Sequence, residues 1–267
     1  MKPATLLWMS MERQGRAVTF PAAMWRGVRI TSVAITTSDT HNASAVAQRE
    51  QGIEQKPMMR GWFHALGALA SVALTVALCW RSWGDTAQVV SLAIFGLSMI
   101  ELYTVSALYH IGRWRPKARR VWRALDHANI FVLIAGTYTP LCFNVLDGWL
   151  RPALLTVIWL CAAAGVALAT LTLRAPRWLT ALLYVAMGWV SVFAIPAFVA
   201  ALSWPPVLLL LGGGVLYTIG ALVYARRWPN PFPRVFGFHE VFHLFVIAGS
   251  VAFALVVWIW VVPFPRV

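Results

Sequence analysis

Seven apolar stretches, at about residues 62–80, 88–112, 125–144, 152–173, 179–200, 206–225 and 238–261, fill the chain beyond residue 60. Each is close to the roughly 20 residues a helix needs to cross the hydrocarbon of a bilayer. Within that layer a backbone N–H or C=O has no water to bond, and a single segment can satisfy its own groups only as a helix. The expected fold is therefore an all-α membrane protein, a seven-transmembrane helix bundle. A content of 60% hydrophobic and 12% charged residues, with mean hydropathy +0.70, excludes an ordinary soluble domain.

The ends of the stretches carry the signals that orient them. Trp62, Trp80, Trp83, Trp149, Trp178, Trp204 and Trp228 sit near the boundaries, where amphipathic rings suit the headgroup region. With the N-terminus inside, fourteen Lys and Arg residues from Arg49 onward fall on the cytoplasmic side, against three, Arg81, Arg151 and Arg266, on the other. The positive-inside rule then predicts a cytoplasmic N-terminus and an outside C-terminus. The same clustering disposes of nucleic acid as the partner for a net charge of +13, because the basic residues are split among short membrane loops.

Other function classes fall to single residue types. Lysine occurs only at Lys2, Lys56 and Lys117, outside the apolar runs, so no Schiff-base lysine exists for a retinal. Cys79, Cys142 and Cys161 lie within apolar runs at unrelated spacings, which suits small core residues better than a disulfide or thiolate cluster. Residues 1–60 show no period and are expected to form a disordered cytoplasmic extension. Their early apolar run is too short, and too soon followed by Glu12 and Arg13, for a cleaved signal. Met58 and Met59 are alternative start positions. Pro140 and Pro196 are expected to kink or end their helices.

The ionisable residues of the spans converge on one depth. His239 and His243 are one helical turn apart at the head of the seventh stretch and share a face. His110 ends the second stretch, four residues after Ser106, and Asp126 and His127 begin the third. With the topology above, all of them, and His64, lie near the cytoplasmic face. An imidazole pair is costly in lipid unless a partner satisfies it. His110, His239 and His243 supply three nitrogen ligands, the number that catalytic zinc takes while leaving a fourth position to water. Asp126 is placed to act as general base on such a water, with Ser106 as a second holder.

Blander readings stand beside these. His64 and His127 read as interfacial side chains. Asp126 has Arg123 as an alternative partner, and the histidine pair could be structural packing. His239-Glu240-Val-Phe-His243 also matches H-E-x-x-H, in which the glutamate would be a protease base. Nothing acidic follows Glu240 to supply a third ligand, and Asp147-Gly148 falls in a loop across the bilayer.

Four segments in order, RGWFHALGALAS, SALYH, LDHANIFVLIAGTYTP and HEVFHLFVIAGS, resemble the hemolysin III family, the bacterial branch of the progestin and adipoQ receptor superfamily. The resemblance covers about residue 60 to the end. It implies seven helices with a cytoplasmic N-terminus and a Zn2+ site with ligands at His110, His239 and His243, with Asp126 and Ser106 beside the metal's water. Animal relatives look like receptors with ceramidase-type activity, and the bacterial branch is named for a haemolytic, pore-forming one.

The expected function is that of a zinc-dependent hydrolase of membrane lipid amides or esters, or a lipid-homeostasis protein, in the bacterial inner membrane. Its partners are membrane lipids, including a ceramide-like substrate. A cytolysin and a non-catalytic zinc-containing lipid sensor are the alternatives.

Overall fold

The computed structural model describes residues 11–13, 16–18, 57–171 and 176–265. Met11–Arg13 (β1) and Arg16–Val18 (β2) pair antiparallel as a ribbon belonging to a separate N-terminal unit. The rest of the extension expected to be disordered lies outside the described residues.

Seven helices are long and apolar enough to cross a membrane: α1 (Trp62–Arg81), α2 (Thr86–Ile111), α3 (Pro116–Val145), α4 (Leu150–Leu171), α5 (Arg177–Leu202), α6 (Trp204–Arg226) and α7 (Phe238–Val261). They run alternately up and down, so that the starts of α1, α3, α5 and α7 share one end with the finishes of α2, α4 and α6. The protein is a multi-pass membrane protein. α3 is the central element: 78% of its most apolar stretch is buried, against 17% for α1 and 22% for α4. Its small residues make this possible. A Cβ added at Gly136 would lie 2.6 Å from the Ser98 Cβ of α2, so the two helices meet at backbone distance.

Many polar side chains inside the bundle bond to helix carbonyls or tie one helix to another. Ser71, Thr75, Thr137 and Thr139 each donate to the carbonyl four residues back. Asn144 donates to Ser91 at 2.9 Å, joining α3 to α2. Tyr103 of α2 donates to Ser250 of α7 at 2.6 Å, and Tyr217 of α6 meets the same hydroxyl at 2.9 Å. Three helices are thus tied at one buried oxygen, where lipid offers no competing partner.

Several local expectations are refined. α3 begins at Pro116, nine residues before its apolar run. Lys117, Arg119, Arg120 and Arg123 therefore ride on its first turns, because proline at the helix start is favourable and the charges need only water, not a loop. α3 also continues through Pro140, and the Asn144 amide donates to the Pro140 carbonyl at 2.8 Å. α5 does break: a 3-10 turn at Trp189–Ala194 separates two α-helical halves, and Pro196 starts the second. Cys142 is buried, but Cys161 is exposed on α4; all three cysteines are free.

The bundle also begins before residue 60. The Met58 and Met59 amides donate to the carbonyls of Arg234 and Val235 in the α6–α7 loop, at 3.1 and 3.2 Å. Gly61 ends this strap at φ +91°, and a Cβ there would stand 2.9 Å from both the His110 Cβ and the Ile111 Cγ1. Only glycine combines that dihedral with that contact. Gly61→Ala is expected to destabilise the bundle by about 1–3 kcal/mol, read as an earlier thermal unfolding in mild detergent.

Candidate metal centre

The layer of histidines expected from the sequence exists as one cluster. His110 near the end of α2 and His239 and His243 on the first turns of α7 each offer a ring nitrogen, and these atoms lie within 4.8 Å of one another. The shortest pair, His110 Nε2 to His239 Nε2, is 3.1 Å. Two nitrogens bound tetrahedrally to one zinc would stand roughly 3.3 Å apart, from bond lengths near 2.0–2.1 Å. The His110–His239 pair is therefore close to ligand spacing as it stands, with the His243 nitrogen within 4.8 Å of both. His110 and His243 are buried and His239 half-buried.

Asp126 comes from α3 to the same point. One of its carboxylate oxygens is 3.8 Å from His110 Nε2 and 3.9 Å from His127 Nδ1. Ser106, one turn before His110, is buried and lines the same cavity as Asp126. All five side chains singled out from the sequence thus occupy one site. The Arg123 alternative is not the arrangement seen: among the described residues the Asp126 carboxylate comes within ion-pair distance of His110 and His127 and not of Arg123.

His64 departs from its expected interfacial place. It is 3% exposed and stacks face to face on His243, with ring centroids 3.7 Å apart and planes 17° from parallel. An ion bound in the plane of one stacked ring lies outside the plane of the other, so His64 does not complete the trio on a shared ion. Both of its ring nitrogens, and His243 Nδ1, are buried without a hydrogen-bond partner among the described residues. The orphaned nitrogen of His243, a member of the trio, fits a site whose chemistry is completed by a cation. His127 is held differently, between the Arg123 carbonyl and the Tyr224 hydroxyl at 3.2 Å, while the Tyr184 hydroxyl donates to its own carbonyl at 2.9 Å.

Glu240 belongs to the scaffold. It is fully buried, takes the Arg60 Nε at 2.9 Å on one oxygen and the Gly237 amide at 2.7 Å on the other. It therefore caps α7 and pins the strap, which sets the rotation that turns His239 and His243 inward. The H-E-x-x-H protease reading needs this carboxylate at a water, and the structure has both its oxygens engaged. Glu240→Ala is expected to cost about 2–3 kcal/mol of stability in thermal unfolding of the metal-free protein, where a purely catalytic glutamate would leave the melting temperature alone.

Sequence reasoning did not find the Arg60–Glu240 pair, since residues so remote share no pattern. It could have found Tyr217 and Tyr224, which are seven residues apart on one face of α6. Both line a cavity of about 1130 Å³, mouth included, that opens from His64, Ser106, Asp126, His239 and His243 and runs down between α3, α5, α6 and α7 over largely apolar walls.

The comparisons with known proteins agree with this architecture. The model of the family described as haemolysin-III related matches residues 53–254. Hemolysin-3 of Bacillus cereus is 36% identical over 203 residues, covering 75% of this chain and 89% of the relative. The Hemolysin-3 homolog of Bacillus subtilis (strain 168) is 34% identical over 205 residues, covering 76% and 92%. More remotely, the human monocyte to macrophage differentiation factor is 26% identical over 188 residues, covering 68% and 75%. The matched region holds the first six helices, α7 as far as residue 254 and every member of the histidine cluster, and the chain belongs to the haemolysin-III-related family.

Proposed function

We propose that the protein is a zinc-dependent hydrolase of membrane lipid amides or esters, with its site at the cytoplasmic leaflet of the bacterial inner membrane. The observation that supports this reading is the opening of a large, mostly apolar cavity directly onto the histidine cluster. A structural metal site needs no such room.

His110, His239 and His243 would hold the ion. When bound, zinc lowers the pKa of a coordinated water toward roughly 7 and polarises a carbonyl oxygen. Asp126 stands beside the trio, where its carboxylate would take a proton from water, and Ser106, lining the same cavity, would orient that carboxylate. The apolar cavity would receive the chain of an amphipathic substrate and exclude bulk water from the reacting bond. Its polar end keeps the headgroup at the level where the strap and the α6–α7 loop meet solvent.

The test is release of fatty acid from an N-acyl sphingoid amide and from a matching ester by purified protein in vesicles, with and without a chelator. Release that the chelator abolishes supports the hydrolase. Absence of release from protein shown to hold one zinc favours the sensor instead, a reading favoured by Asp126 lying close enough to serve as a fourth ligand. The names of the Bacillus relatives bring a cytolysin to mind, but seven apolar spans describe a protein inserted once rather than a soluble toxin. Dye leakage from vesicles bearing the protein would favour the cytolysin.

A further inference from the structure

A second cavity, of about 550 Å³, mouth included, lies beyond the first, between α3 and α5, with α6 on its far wall. The two share five lining residues: Tyr138, Gly188, Trp189, Gly214 and Phe253. They are neighbouring chambers, and these five residues form the collar between them.

The collar is built rather than left over from packing. The Tyr138 hydroxyl donates to the Gly188 carbonyl at 2.7 Å and accepts from the Ser191 amide at 2.7 Å. Trp189 Nε1 donates to the Thr218 hydroxyl at 3.0 Å. These bonds pin the 3-10 turn of α5 between the two cavities, at a depth where polar groups are costly without partners. The glycines are more telling. A Cβ at neighbouring Gly213 would press on the Phe253 ring at 2.8 Å, so packing explains that glycine. A Cβ at Gly188 would meet nothing within 4 Å, and one at Gly214 only the far edge of Trp189 at 3.8 Å. Gly188 also has ordinary helical dihedrals, φ −63° and ψ −32°. Glycine weakens a helix relative to alanine, and here neither crowding nor backbone geometry asks for it. The space itself is what these two positions provide.

Length says what the space fits. From Tyr224, beside the histidines, to Gly214 at the collar is roughly 15 Å of helix, and to Val207 in the second chamber roughly 25 Å. One leaflet contributes about 15 Å of hydrocarbon. The first chamber alone is as deep as one leaflet, and an extended alkyl chain longer than that has to pass the collar.

We propose that a single alkyl chain of the bound lipid threads the collar from the histidine chamber into the distal chamber, and that Gly188 and Gly214 keep the passage open and so set the chain length accepted. This rests on the lipid-hydrolase reading of the first chamber and adds where the far end of the substrate lies. Each further methylene buried in the distal chamber would strengthen binding roughly fourfold.

The test uses a long-chain saturated fatty acid with a diazirine at its terminal carbon, photolysed on the purified full-length protein in detergent, with the labelled residues mapped by mass spectrometry. In the wild type the label is expected on distal residues such as Phe198, Val207 and Leu210. Gly188→Leu and Gly214→Leu, which add bulk without backbone strain, are expected to reduce distal labelling at least tenfold and move it to Val185 or Val246 in the first chamber. Their thermal unfolding checks that both variants fold. First-chamber labelling in the wild type with none beyond the collar, or distal labelling that neither variant changes, overturns the threaded chain and leaves the lipid site standing. No labelling in either chamber overturns both.

Discussion

Protein purified with His110→Ala, His239→Ala and His243→Ala together is expected to hold less than about a tenth of an equivalent of zinc, where the parent holds about one. The reasoning is geometric. The three nitrogens already converge within 4.8 Å, while His64 is stacked out of plane and His127 is committed to the Arg123 carbonyl and the Tyr224 hydroxyl. Asp126 alone would then be left as a ligand, too little for tight binding. Elemental analysis after gel filtration reads the result directly. Near-stoichiometric zinc in the triple variant would mean the ion sits elsewhere, and the trio would become a packing cluster. Each single variant should show a weaker version of the same loss.

The second large effect belongs to Asp126. Asp126→Asn is expected to leave zinc content unchanged and to lower the rate of fatty-acid release by about 100- to 10,000-fold, the usual worth of a positioned general base. The amide keeps the shape of the side chain but cannot take a proton. Comparing zinc content with rate separates two roles for this carboxylate. If metal affinity falls in step with activity, Asp126 is a ligand and the site is closed; if only the rate falls, it is the base.

How much of this could be read in advance follows from the kind of constraint each residue obeys. The spans were legible because a bilayer imposes a length and an apolar composition that no loop satisfies by accident. The histidine layer was legible for a related reason: alternating helix direction converts positions near the start or finish of a span into a common depth. That put His110, Asp126 and His239 in one plane before any contact was known. Depth does not determine which way a side chain faces across the bundle, and for that reason His64 was misplaced at the interface when it is packed against His243. The start of α3 was hidden because an apolar window measures the membrane-embedded part of a helix, not the helix, and Lys117 to Arg123 continue it into the headgroups. The role of Glu240 was obscured by its neighbours, since H-E-x-x-H suggests a reactive carboxylate until Arg60 and the Gly237 amide are seen holding it.

The tryptophan belt has one more consequence. Trp62, 56% exposed at the first residue of α1, lies only about 3 Å of helix rise from His64, so the histidine cluster is barely deeper than the ring of indoles marking the water boundary. At that depth an ion would enter through the headgroup layer rather than across the hydrocarbon. In sealed proteoliposomes of uniform insertion, an impermeant chelator should strip the metal when added on one face and leave it untouched when added on the other. A single pair of additions would then report which way round the protein sits.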